Sequence, residues 1–156
     1  MTNRQLIETL YTAFQASDAD TMAACYHDQA IFKDPAFGKL KNGEVRDMWR
    51  MLIERSKGNL TITFSDVQAD DDTGSASWEA KYPFSKTGRM VHNRISARFK
   101  FAEGKIIEHR DEFDLWKWSG MALGWPGKLL GWTPFFQQKI RSTAMASLRK
   151  WQKQQR

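Results

Sequence analysis

A chain of 156 residues, 41% of them hydrophobic and 27% charged, can bury one core and is too apolar to stay disordered. It has no apolar run long enough to span a bilayer, and the lone cysteine, Cys25, excludes an internal disulfide; a reducing, cytoplasmic setting fits. The net charge of +6 is unevenly spread: all 18 acidic residues precede Leu115, whereas residues 117–156 hold eight Lys and Arg, and five of the seven tryptophans lie from Trp116 onward.

Residues 3–15 place Leu6, Ile7, Leu10, Tyr11 and Phe14 at helical spacing, so the N-terminus reads as an amphipathic helix and not as a signal peptide. Asp18 or Asp20 caps a second short helix through Met22, Ala23 and Tyr26, with Cys25 a buried, inert thiol within it. Residues 30–34 form a short strand stopped by Pro35, Asn42-Gly43 a turn, and residues 44–55 a helix burying Val45, Met48, Trp49 and Leu52. Gly58-Asn59 ends that helix.

From Leu60 the period becomes two. Leu60, Ile62 and Phe64 share a face, as do Ala76, Trp78, Ala80, Tyr82 and Phe84 after the turn at Asp70–Gly74. Val91, Asn93, Ile95, Ala97, Phe99 and Phe101 follow, then Ile107, His109, Asp111, Phe113 and Leu115. Short turns between them predict four consecutive antiparallel strands, each with one apolar face. The tail returns to helical spacing. A glycine-rich loop is expected over 124–131 and a helix from the Thr133-Pro134 cap to about residue 153. Its apolar stripe is Phe136, Ile140, Ala144, Leu148 and Trp151.

Alternation also selects the polar residues that share an apolar face. Asn93, His109 and Asp111 fall among core-facing positions, and Asp34 follows if Phe32 points inward. His92, Arg94, Arg98 and Glu108 fall on the opposite, solvated face. Burying an unpaired polar group costs roughly 2–7 kcal/mol. The four therefore either satisfy one another or line a cavity, and Phe32, Trp78, Tyr82 and Phe113 would supply its aromatic wall.

The segments FQASDADTMAACYHDQAIFKDP (14–35), the helix at 44–55 and ARFKFAEGKIIEHRDEFDL (97–115) resemble the nuclear transport factor 2-like superfamily. That group includes ketosteroid isomerases, SnoaL-like polyketide cyclases and limonene epoxide hydrolases. The resemblance implies an α+β fold, a cone-like curved antiparallel sheet wrapped by N-terminal helices, over residues 1–118. Residues 119–156 are then a Trp-rich basic extension packed on the same domain or on a dimer partner.

The resemblance also implies roles. Asp34 looks like the general base of the isomerases, and Asp111 is similar to the acid/base aspartate of the epoxide hydrolases and the cyclases. The isomerases' oxyanion donors do not carry over, since their positions fall on Leu10 and Ala97. The hydrolases' Arg-x-Asp pair has no counterpart in the strand Trp78–Tyr82.

These readings converge on cofactor-free acid/base chemistry on a small apolar carbonyl compound. Asp34, His109 and Asp111 would be catalytic, and Phe32, Trp78, Tyr82, Asn93 and Phe113 would bind substrate. The alternative is a non-catalytic small-molecule-binding or assembly domain whose cavity is filled by Trp78, Tyr82 and Phe113. No phosphate loop, dinucleotide fingerprint or metal-ligand spacing is present. A homodimer is expected. No base-reading motif points to nucleic acid, and for the tail a docked helix is preferred over contact with a membrane surface.

Overall fold

The structure, a computed structural model, describes residues 1–156. Helix α1 (Asn3–Gln15) starts at a capping box in which Thr2 and Gln5 satisfy each other's backbone amides. Asp18 caps α2 (Ala19–Ala24), which is only six residues long. It ends at Cys25, so Tyr26 is the first residue of a strand and not the end of a helix. The buried Cys25 thiol is pushed up to about 11 by desolvation, which keeps it protonated and unreactive.

Strand β1 (Tyr26–Asp34) is longer than the expected 30–34 and turns at Pro35 into β2 (Gly38–Lys41), a strand the sequence does not announce. Helix α3 (Gly43–Ser56) follows and stops where Lys57 and then Gly58 take left-handed conformations. Then come β3 (Thr61–Ala69), β4 (Thr73–Pro83), β5 (Met90–Ala102) and β6 (Lys105–Glu112).

The sheet order is β2-β1-β6-β5-β4-β3. Strands β3 to β6 pair antiparallel, as their short connections require, but β1 runs parallel to β6. The sheet is therefore mixed and not wholly antiparallel. A parallel pair needs a long crossover, and here α3 and the four strands β2 to β5 supply it. The curved, unclosed sheet carries α1 and α3 on one face, and their apolar stripes meet the inward set of β3 to β6. Ile7, Leu10, Tyr11, Met48 and Trp49 are fully or nearly fully buried there. Each such side chain stabilises the fold by about 1.5–3 kcal/mol relative to exposure.

The last strand ends at Glu112, earlier than the expected Leu115, because Asp114 caps α4 (Leu115–Leu123). Helix α4 runs through residue 118, where the sequence places the start of the extension. The expected loop at 124–131 is instead a second short helix, α5 (Trp125–Leu130). Its glycines serve close packing: a Cβ on Gly127 would overlap the Ser119 carbonyl, and one on Gly131 the Ser119 hydroxyl. Composition alone reads such a cluster as a loop, since glycine is also the commonest turn residue.

Helix α6 (Pro134–Gln154) lies along α3. Leu148 and Trp151 enter the main core, while Ile140 joins a smaller cluster with Val91, Leu115, Trp118 and Ala122. Polar contacts fix its register: Trp151 donates to Glu54, Gln152 to Asp47 at 2.8 Å, and Arg149 pairs with Glu44. Trp118 and Trp151 are buried, but Trp116, Trp125 and Trp132 remain exposed. No helix is long and apolar enough to cross a membrane.

Candidate functional site

The concave face of the sheet, α3 and the start of α6 enclose a cavity of about 560 Å³. Asp34, Asn93 and Asp111 line it, with Phe32, Trp78, Tyr82 and Phe113 among its aromatic wall. These aromatics bound the space without filling it. Register explains the convergence. Trp78 stands opposite Ile95, Ala80 opposite Asn93, Ala97 opposite Asp111, and Phe99 opposite His109, so one face of three strands carries them all. The parallel pairing of β1 with β6 then sets Phe32 beside His109.

His109 is the sequence-selected residue that does not reach the cavity. Its ring is enclosed by Phe32, Trp49 and Phe99, and it sits behind Asp111. The Trp49 indole N–H donates to the Tyr26 hydroxyl at 3.0 Å, and that hydroxyl lies 2.8 Å from His109 Nδ1. His109 Nε2 lies 2.8 Å from Asp111 Oδ1, which also accepts from Trp78 Nε1 at 3.2 Å.

These contacts fix the direction of donation. A carboxylate only accepts, so Nε2 presents its proton to Asp111, and in that neutral tautomer Nδ1 accepts from the Tyr26 hydroxyl, whose oxygen in turn accepts from Trp49. Asp111 Oδ1 thus takes two donors from buried, immobile rings. Its Oδ2 has no protein partner yet is not among the enclosed orphan atoms, so it opens on the cavity.

Asp34 stands at the end of β1, where the turn at Pro35 brings the Phe37 amide to 2.6 Å from its Oδ1. The carboxyl is half-buried, and its open side is the cavity wall. Desolvation raises it most, the nearby Asp111 charge adds to this, and the Phe37 amide only partly offsets them, leaving it at about 7. Across the cavity the Tyr82 hydroxyl accepts from Trp118 Nε1 at 2.9 Å and keeps its own proton free to donate. Burial raises that phenol, and the Asp34 charge adds to the effect. The Asn93 side chain has no hydrogen-bond partner in the protein.

Sequence pattern does not single out Tyr26 or Tyr11. The local spacing puts Tyr26 in a helix, and only the parallel β1–β6 register reveals its partnership with His109. Tyr11 reads as one more apolar position of α1. Its hydroxyl is enclosed without a hydrogen-bond partner, and burial first, then the charge of Asp111, holds it well above the ordinary phenol value. Leu10, at the position where the isomerases carry a donor, is buried. No group of three or more His, Cys, Asp or Glu side chains is arranged so that it could hold a metal ion.

The SnoaL-like domain profile matches residues 7–109, most of the sheet and both carboxylate-bearing elements up to His109. The chain belongs to the SnoaL-like family. Comparison with curated proteins gives no match. Among solved structures, this SnoaL-like protein is similar to an LEH-like epoxide hydrolase of M. tuberculosis, with 20% identity over 81% of this chain and 89% of that one, at a TM-score of 0.57. A protein assigned as a polyketide cyclase of Xanthomonas campestris shares 18% identity over 77% and 98%, at 0.61. Bal32a, from a soil-derived mobile gene cassette, shares 20% over 76% and 95%, at 0.67. At these identities the likeness is one of fold, and the fold hosts many chemistries.

Proposed function

We propose that this SnoaL-like protein is a cofactor-independent acid/base catalyst acting on a small, mostly apolar carbonyl compound. The observation that carries the reading is that two carboxylates, Asp34 and Asp111, open on one apolar cavity in unlike environments. A carboxyl held at about 7 by burial is both a competent base and a competent acid at neutral pH. Asp111, fixed by His109 and Trp78, is instead braced as an acceptor.

In the reaction class this favours, Asp34 takes a proton from the carbon beside the carbonyl. The electron pair of the broken C–H bond moves into the enolate, whose oxygen needs a donor. Tyr82, with its free hydroxyl proton, and the unpartnered Asn93 amide are the groups on the wall able to supply one. Asp34 then returns the proton to the α-carbon or, where a β,γ C=C has carried the electron pair onward as a dienolate, to the γ-carbon, and the Asp111–His109–Tyr26 chain holds its geometry throughout. The fold neighbours assigned as a cyclase and an epoxide hydrolase support small-molecule chemistry in such a cavity but do not choose the substrate.

The test is deuterium uptake at the α-carbon of a panel of apolar cyclic ketones in D₂O, followed by NMR. Exchange should rise with pH through about 7 and fall by about a hundredfold or more in Asp34→Asn. No exchange across the panel, or exchange indifferent to Asp34→Asn, would sink the reading.

A further inference from the structure

On α6, Lys139, Ser142, Thr143, Ala146, Ser147 and Lys150 recur at helical spacing, a polar stripe beside the apolar one that docks on α3. Arg55 from the end of α3 and Ser85-Lys86 from the β4–β5 turn face this stripe, and together they line a groove of about 600 Å³. Six of these residues, Arg55, Ser85, Lys86, Lys139, Thr143 and Ser147, also line the apolar cavity, so the groove is its vestibule. No carboxylate borders it.

What sets the vestibule apart is the gathering of like charge in one concave place: four of the nine residues that border it are Lys or Arg and none is Asp or Glu. The four vestibule cations pair with no acid and make no side-chain hydrogen bond. Gathering unpaired like charges at one concave opening is unfavourable for the protein alone and raises the local concentration of anions. Three of the four sit on flexible lysine stems, with hydroxyl donors between them, which suits an anion of variable shape.

Resting on the catalytic reading above, we propose that the substrate is amphipathic, with an apolar body ending in a carboxylate or phosphate. The apolar body and its carbonyl occupy the cavity against Asp34 and Asp111, neither of which borders the vestibule, while the anionic end sits among Arg55, Lys86, Lys139 and Lys150. This orients the substrate before any chemistry: one end is drawn to the cations, and the uncharged end alone enters the inner cavity. A neutral polycyclic compound would leave the vestibule unused.

The test compares three probes of one chain length, dodecanol, dodecanoate and dodecyl phosphate, by isothermal titration on the full chain. Both anions should bind about tenfold or more tightly relative to the alcohol. Dodecanoate against dodecyl phosphate tells which anion the vestibule prefers. In Lys86→Gln/Lys139→Gln/Lys150→Gln, all at exposed positions, the preference should collapse toward unity with dodecanol affinity unchanged. Added salt should shrink the preference in the wild-type protein. Equal affinities for alcohol and anions, or a preference that survives the triple substitution, would overturn the proposal while leaving the apolar cavity reading intact. Absence of binding by all three probes would remove both.

Discussion

Burial holds the Asp34 carboxyl at about 7, so the folded protein keeps a proton there that the unfolded chain releases at about 4. A raised folded value means the cost to stability is absent below the unfolded value, grows as pH rises between the two, and is complete above about 7. Asp34→Asn keeps an oxygen to accept the Phe37 amide and removes the charge. It should therefore leave stability nearly unchanged at pH 4 and raise it by about 2–4 kcal/mol at pH 8, measured by urea denaturation at both pH values. An identical effect at the two would show that Asp34 titrates normally. The position of Asp34 is legible from the run Phe32-Lys33-Asp34-Pro35, because alternation ties its side to that of Phe32. The raised value is not, since it depends on walls contributed by distant elements and on the charge of Asp111. Tyr26 is harder still. Its role rests on a parallel register between strands about eighty residues apart, and no local pattern encodes that.

At the scale of elements, local period was informative wherever one face was buried and the element was long. The helices at 3–15 and 43–56 and the four strands from 61 to 112 follow from it, apart from shifted ends. The short pieces did not follow: β2 has four residues and α5 six, too few for periodicity to show. Helix α6 has a clear stripe, and its inner residues bear weight accordingly. Leu148 is fully buried against the main core, so Leu148→Ala should cost about 2–5 kcal/mol through lost transfer energy and the cavity left behind. The same helix forms part of the cavity wall through Ile140, Ala144 and Ser147. The substitution should therefore also weaken dodecanol binding, which truncating an exposed α6 residue would not do. A melting temperature within a degree or two of the wild-type value would mean that α6 is not anchored as described.

For the molecule as a whole, charge and apolar exposure are segregated. The outer sheet face carries a ladder of polar pairs, His92 hydrogen-bonded to Glu79, Arg94 paired with the same Glu79 and Lys100 with Glu108, and offers little apolar area. The region of α4, α5 and the start of α6 does the reverse. Trp125 is 72% exposed, Trp132 59% and Phe135 82%, with Trp116 and Leu129 beside them. Apolar groups of this size left in water are uncommon on monomers, where large contiguous patches mark a contact surface. The segment from 116 to 135 holds only Lys117 and Lys128 as charges. That is a weak attraction for anionic lipid, and Trp-rich patches with few charges resemble the buried centre of a protein interface. A second copy of the chain is therefore the expected occupant. The protein should sediment as a dimer at micromolar concentration, and Trp125→Asp/Trp132→Asp should shift it to monomer without altering its far-ultraviolet circular dichroism. Both side chains are exposed, so their loss should not unfold the chain. A wild-type monomer under these conditions would refute the dimer. If such a monomer also bound anionic vesicles through the same tryptophans, the surface would belong to a membrane instead.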